Sequence, residues 1–209
     1  MKKYFVSIYC PPYPPKVEND VPNRITRKSF EILKNVGIDN IFGHFEDSYG
    51  DNYIDESMSL CDEFGISYFI RPQICSKFLE VTDSPVFKGV SYSEKTLEEQ
   101  NKLFDEFNKT CERYAKHKSF AGVMFGDESP IPAFEGIGAA YKTFKKNYPN
   151  KEFIFNSLNL LILFILRSSV SCLQIVYFSS LKSSTSPSLV SSGKSALSVI
   201  IISFSANMT

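Results

Sequence analysis

The chain has 209 residues, 43% of them hydrophobic, and balances 23 Lys and Arg against 23 Asp and Glu. That composition suits an ordinary globular domain, and the lack of a basic stripe with interleaved aromatics argues against nucleic acid as a partner. The charges divide unevenly. Residues 1–152 hold 20 basic and 23 acidic side chains, while the 57 residues after Glu152 hold Arg167, Lys182 and Lys194 and no acid at all. Residues 1–160 are therefore expected to form one folded unit, and 161–209, rich in Ser, Leu and Ile, an irregular tail outside it.

From the N-terminus, Tyr4–Tyr9 is rich in β-formers and is stopped by Pro11, Pro12, Pro14 and Pro15, which predicts a first strand. Lys2 and Lys3 precede it, but no small-residue cleavage site follows, so a signal peptide is not expected and a cytoplasmic location is the default. Ile25–Asn35 is expected as a helix, with apolar Ile25, Phe30, Ile32, Leu33 and Val36 close to the spacing of one helical face and Gly37 as its stop. Asn40–Phe45 reads as a second strand, Tyr53–Phe64 as a second helix ended by Gly65, and Ile66–Ile70 as a third strand. A polar loop is expected over Pro72–Tyr92, then a helix from Glu94 to His117 capped by Ser93. Phe120–Phe125 reads as the fourth strand, Ala133–Asn147 as a helix, and Lys151–Asn156 as a fifth strand.

Such alternation predicts an α/β fold with a parallel sheet, either a barrel or a doubly wound sheet. No GxGxxG follows the first strand, and Gly136 and Gly138 fall inside a helix, so no dinucleotide cofactor is expected. Cys10, Cys61, Cys75, Cys111 and Cys172 are dispersed, without metal or disulfide spacing, and read as free thiols. The tail runs Leu158–Leu166, Val170–Phe178 and Ala196–Phe204 fall short of the roughly 20 residues that span a bilayer, so a membrane anchor is not expected.

In parallel α/β folds the functional side chains collect at the C-terminal ends of the strands. Here those ends are polar: Tyr9 and Tyr13 after strand one, His44 and Glu46 after two, Arg71 and Gln73 after three, Asp127 and Glu128 after four, Asn156 after five. Acids and amides at such places also cap helices. Asp127 and Glu128 are the sharpest pair, because adjacent carboxylates raise one another's pKa and suit one of them to donate a proton.

The stretch Phe120–Pro130, the helix after it, the Tyr148-Pro149-Asn150 turn and a strand ending in Asn156 resemble the middle of TIM-barrel glycoside hydrolases of the large retaining clan. The likeness covers about residues 4–160, which implies a partial (β/α)8 barrel of four βα units plus a fifth strand. It implies Glu128 as general acid/base, Asp127 as its weaker neighbour in a place where the family usually has Asn, and His44, Glu46, Arg71, Gln73, Tyr13 and Asn156 around a carbohydrate, with no cofactor or metal. A retaining mechanism also needs a second carboxylate about 5 Å from the first. Nothing after Glu152 supplies one, so the chain is expected to be truncated and inactive alone, with open barrel edges free to self-associate. Two alternatives remain open at this point. One is a metal-dependent sugar isomerase-like or endonuclease-like barrel with His44, Glu46 and Glu128 as ligands. The other is a non-catalytic carbohydrate-binding or interaction module using Tyr9, Tyr13, Tyr49 and Tyr53.

Overall fold

The computed structural model describes residues 5–14, 23–50, 52–127 and 129–155. The expected fifth-strand terminus at Asn156, residue Glu128, Cys172 and the whole of the 161–209 tail lie outside the described residues. Five strands, β1 (Ser7–Tyr9), β2 (Asn40–Phe42), β3 (Ser67–Ile70), β4 (Phe120–Gly126) and β5 (Glu152–Phe155), form one sheet in the order 1-2-3-4-5. Every neighbouring pair is parallel. Helices α1 (Arg27–Asn35), α2 (Tyr53–Phe64), α3 (Ile74–Phe78), α4 (Leu97–Ala115) and α5 (Phe134–Asn147) occupy the crossovers.

Sequential order fixes more than neighbourhood. A doubly wound sheet reverses direction once, whereas every connection here steps the same way, and connections of one hand that step the same way return their helices to the same face. The side chains follow that rule. One alternate set, including Ile41, Tyr68, Ile70, Val123, Phe125 and Phe153, packs with the helices in the main core. The other set forms a separate apolar layer of Phe42, Phe69, Met124 and Ile154, joined by Tyr9 and Ala121. A single apolar layer drawn from all five strands, with Ala121 and Met124 both from β4, is compatible with part of a barrel interior.

The local signals explain where each helix sits. Thr26 caps α1 by accepting from the Ser29 N–H at 3.2 Å, so the helix starts two residues later than expected. Phe30 is fully buried, but Ile32 is 52% and Val36 66% exposed, against expectation. Ile32 lies roughly 200° around the helix from Phe30, on the opposite face. Helix α2 matches its expected span and ends on Gly65 in the left-handed conformation (φ 64°). Helix α4 begins at Leu97, not Glu94, because Thr96 and Glu99 form a capping box: Glu99 accepts from the Thr96 N–H at 2.7 Å, and Thr96 accepts from the Glu99 N–H at 3.3 Å. Ser93 instead lies in a single 3-10 turn, Tyr92–Glu94. The expected loop at 72–92 contains the short helix α3, whose Phe78 is fully buried against Phe104, Phe107 and Phe125. Sealing a phenylalanine there is worth about 2 kcal/mol.

Strand β2 stops at Phe42 rather than at Phe45, because Phe45 itself takes a left-handed conformation (φ 59°) and turns the chain. Of the cysteines, Cys61, Cys75 and Cys111 are buried free thiols and Cys10 is half-buried. Among the described residues no helix is long and apolar enough to cross a membrane.

Candidate functional site

Residues two apart on a strand share a face. Phe42 and Phe69 belong to the inner layer, so His44 and Arg71 are carried to the same side just beyond the strand ends. The pairing of β2 with β3 continues past those ends. The Gly43 N–H donates to the Phe69 carbonyl at 2.8 Å, and the Phe45 N–H donates to the Arg71 carbonyl at 2.9 Å. His44 and Arg71 are thus set side by side by backbone bonds, not by side-chain choice.

The Tyr9 hydroxyl is the hub of this rim. Arg71 Nη1 donates to it, His44 Nδ1 lies 3.4 Å away, and the Asp127 carboxylate accepts from it. With its proton on Asp127, the phenol offers lone pairs to Arg71 and to His44, and the His44 contact then requires the hydrogen on Nδ1. Arg71 is 5% exposed, its guanidinium lies over the Phe45 ring at 4.6 Å, and its Nε has no hydrogen-bond partner. A buried donor without a partner is costly, and a polar ligand atom is one way to satisfy it.

Electrostatics keep the two aromatic partners neutral. Burial pushes the Tyr9 phenol well above its ordinary value; Arg71 opposes the rise and Asp127 adds to it. Burial lowers His44, and the positive charge of Arg71 lowers it further, against the pull of Asp127. The rim therefore presents one cation and one carboxylate around a neutral phenol and imidazole.

The other expected residues divide. Tyr13 sits beside Cys10 after β1; burial and a hydrogen bond with the Cys10 thiol raise its phenol. Glu46 does not line an open surface. It is fully buried, and its Oε1 accepts from the His44 N–H at 2.8 Å, so its role is internal. Gln73 departs as well. Its side chain is exposed, its N–H donates to Asp47 at 2.8 Å, and it lines a separate groove of ≈ 450 Å³ with Lys77, Glu106 and Arg113. Asp127 joins the rim, whereas Glu128 and Asn156 lie outside the described residues. Among the described residues no three His, Cys, Asp or Glu side chains converge as a metal site. Glu46, turned onto the chain's own backbone, is unsuited to the ligand role that the isomerase-like alternative gave it.

Tyr9 is expected at a polar strand end and among the candidate sugar-binding tyrosines, but not as the common partner of Arg71, His44 and Asp127, and Phe45 is expected only as a strand residue. Period-2 spacing from Ser7 would have placed Tyr9 on the inner face. The stacking of Phe45 on Arg71 depends on a left-handed turn that no local residue type announces.

No family model matches the sequence, and no curated protein matches it. Among solved structures, the chain is similar to a Bacteroides thetaiotaomicron VPI-5482 protein assigned as an alpha-L-fucosidase, with 14% identity and a TM-score of 0.45. The match covers 74% of this chain and 51% of that one, so the chain spans about half the length of that protein. At this identity and overlap the likeness carries neither an activity nor a substrate to this chain.

Proposed function

We propose that residues 1–160 are the N-terminal half of a (β/α)8 glycoside hydrolase of the retaining type, that 161–209 stand outside the barrel, and that the inner rim binds a carbohydrate. The observation that carries this reading is the gathering of Tyr9, His44, Arg71 and Asp127 at the C-terminal ends of sequentially ordered parallel strands. Vicinal sugar hydroxyls both donate and accept, and a fixed guanidinium beside a fixed carboxylate answers both. Asp127 borders this rim, and Glu128, the next residue, is assigned the general acid/base role on the family resemblance.

The second carboxylate of a retaining pair has no candidate after Glu152. The chain is accordingly proposed to bind sugar without hydrolysing glycosides, and the edges of β1 and β5 are proposed to allow self-association. Saturation-transfer NMR against hexoses, deoxyhexoses, pentoses and uronates, beside a panel of nitrophenyl glycosides, tests the reading. The expected result is saturation transfer to at least one sugar, abolished by Arg71→Met, and no nitrophenol release. Absence of transfer to every sugar defeats the carbohydrate assignment. Hydrolysis of any glycoside defeats the proposal that the chain is catalytically incomplete.

A further inference from the structure

Glu46 is buried in a place that its sequence neighbours do not explain. It follows Phe45, whose left-handed backbone costs a non-glycine residue on the order of 1 kcal/mol unless the surroundings hold it. The carboxyl group supplies a hold on the backbone just before the turn: Oε1 accepts from the His44 N–H at 2.8 Å, while Oε2 lies 3.3 Å from where a Cβ on Gly43 would sit, so the glycine leaves it room. Oε2 and the fully buried Tyr68 hydroxyl face one another, and neither has another hydrogen-bond partner.

We propose that Glu46 is a positioning residue for His44: its carboxyl group, sealed beneath the turn after β2, sets where the imidazole meets Tyr9 and Arg71, and does so differently in its neutral and anionic forms.

The groups that face it come from three segments. Tyr68 approaches from β3, the Cys10 thiol and the Tyr13 phenol from the segment after β1, and Asp47 from its own turn. Burial raises Glu46 to about 7; the N–H groups of His44 and of Glu46 itself and the Tyr68 hydroxyl oppose the rise, and the Asp47 charge adds to it. Both forms are therefore populated near neutral pH. The anion accepts a charge-assisted bond from the His44 N–H, which is the stronger hold. The neutral acid carries a proton that needs an acceptor, and the Tyr68 hydroxyl, a donor to the anion, can turn to accept it. Moving between the two states shifts the turn that aims His44. The inference concerns the arrangement of the rim and holds whatever ligand the rim takes.

The chain has two histidines, so its imidazole 1H–13C spectrum contains signals from His44 and His117 alone. In a pH titration of the whole chain without ligand, the His44 ring and backbone amide signals are expected to show an inflection near pH 7 besides the imidazole's own. Glu46→Gln keeps the side-chain shape and is expected to abolish that inflection while leaving the His117 signals in place. An inflection that survives in Glu46→Gln, or is absent from the unsubstituted chain, overturns the proposal. If Glu46→Gln does not fold, Tyr68→Phe serves: losing the hydroxyl that opposes the rise is expected to move the inflection to higher pH, and an unmoved inflection is equally fatal. Because no sugar is added, failure here is distinct from failure of the carbohydrate reading.

Discussion

The carbonyl oxygen of Glu152 lies 1.8 Å from where a Cβ on Gly122 would sit. Gly122 also has a φ of 154°, and the two residues are register partners between β4 and β5. The approach is between backbones, so no side chain can swing away to relieve it. Gly122→Ala is expected to cost about 3 kcal/mol from overpacking together with backbone strain. Urea denaturation measures it; a loss below the ~0.5 kcal/mol typical of a neutral surface change would mean that the two strands do not meet as described.

A second prediction concerns the turn that leads into β4. His117 lies between two carboxylates, with Nδ1 2.9 Å from Asp62 and Nε2 3.2 Å from Asp55. Asp55 also takes bonds from Arg113 at 2.7 Å and Lys116 at 3.1 Å, and Asp62 accepts from the Ser119 N–H at 2.6 Å. Burial alone would raise both acids. For Asp55 the bonds from Arg113, His117 and Lys116 outweigh it, and for Asp62 those from Ser119 and His117 do, so both are held below the ordinary range. A carboxylate lowered in the folded state gives stability that is present above its unfolded value, near 3.9, and lost as pH falls through its folded value. Stability is therefore expected to drop below about pH 4, and Asp62→Ala to flatten that drop while costing about 2 kcal/mol at neutral pH. Thermal melts at stepped pH check both; an Asp62→Ala curve parallel to the original would refute the linkage.

The α4 cap gives a cleaner local test. Thr96→Ala removes the side-chain acceptor for the Glu99 N–H and is expected to cost about 1 kcal/mol, while Thr96→Ser keeps it and stays close to neutral. Equal losses in the two variants would show that the hydroxyl is not the source of the effect.

At the rim, Tyr9→Phe removes the hydroxyl shared by Arg71, His44 and Asp127 but keeps the ring in the apolar layer. Stability is expected to change by about 1 kcal/mol, whereas sugar affinity falls about tenfold, because three polar groups lose their common partner. Titration calorimetry with a sugar identified by saturation transfer measures the loss; unaltered affinity would remove Tyr9 from the site.

The sequence alone determined the order of the five strands and the four longer helices, though not the short α3, and the crowding of polar residues at strand ends. Alternating short apolar runs and helical periods mark β1 to β5, and Gly65 marks the end of α2 so well that its span is recovered in full. These are local effects, set by steric limits on each backbone and by which side chains avoid water. Period-2 logic extends that legibility to His44 and Arg71, which share the inner face because Phe42 and Phe69 do. Tertiary structure alone decided the rest. The burial of Glu46, the departure of Gln73 to another groove and the choice of Tyr9 as hub follow from the turn at Phe45 and from backbone bonds between β2 and β3. Those bonds join residues far apart in the chain. Similar long polar side chains a few residues beyond a strand can therefore end as an exposed group, as Gln73 three residues after β3, or as a sealed one, as Glu46 four residues after β2.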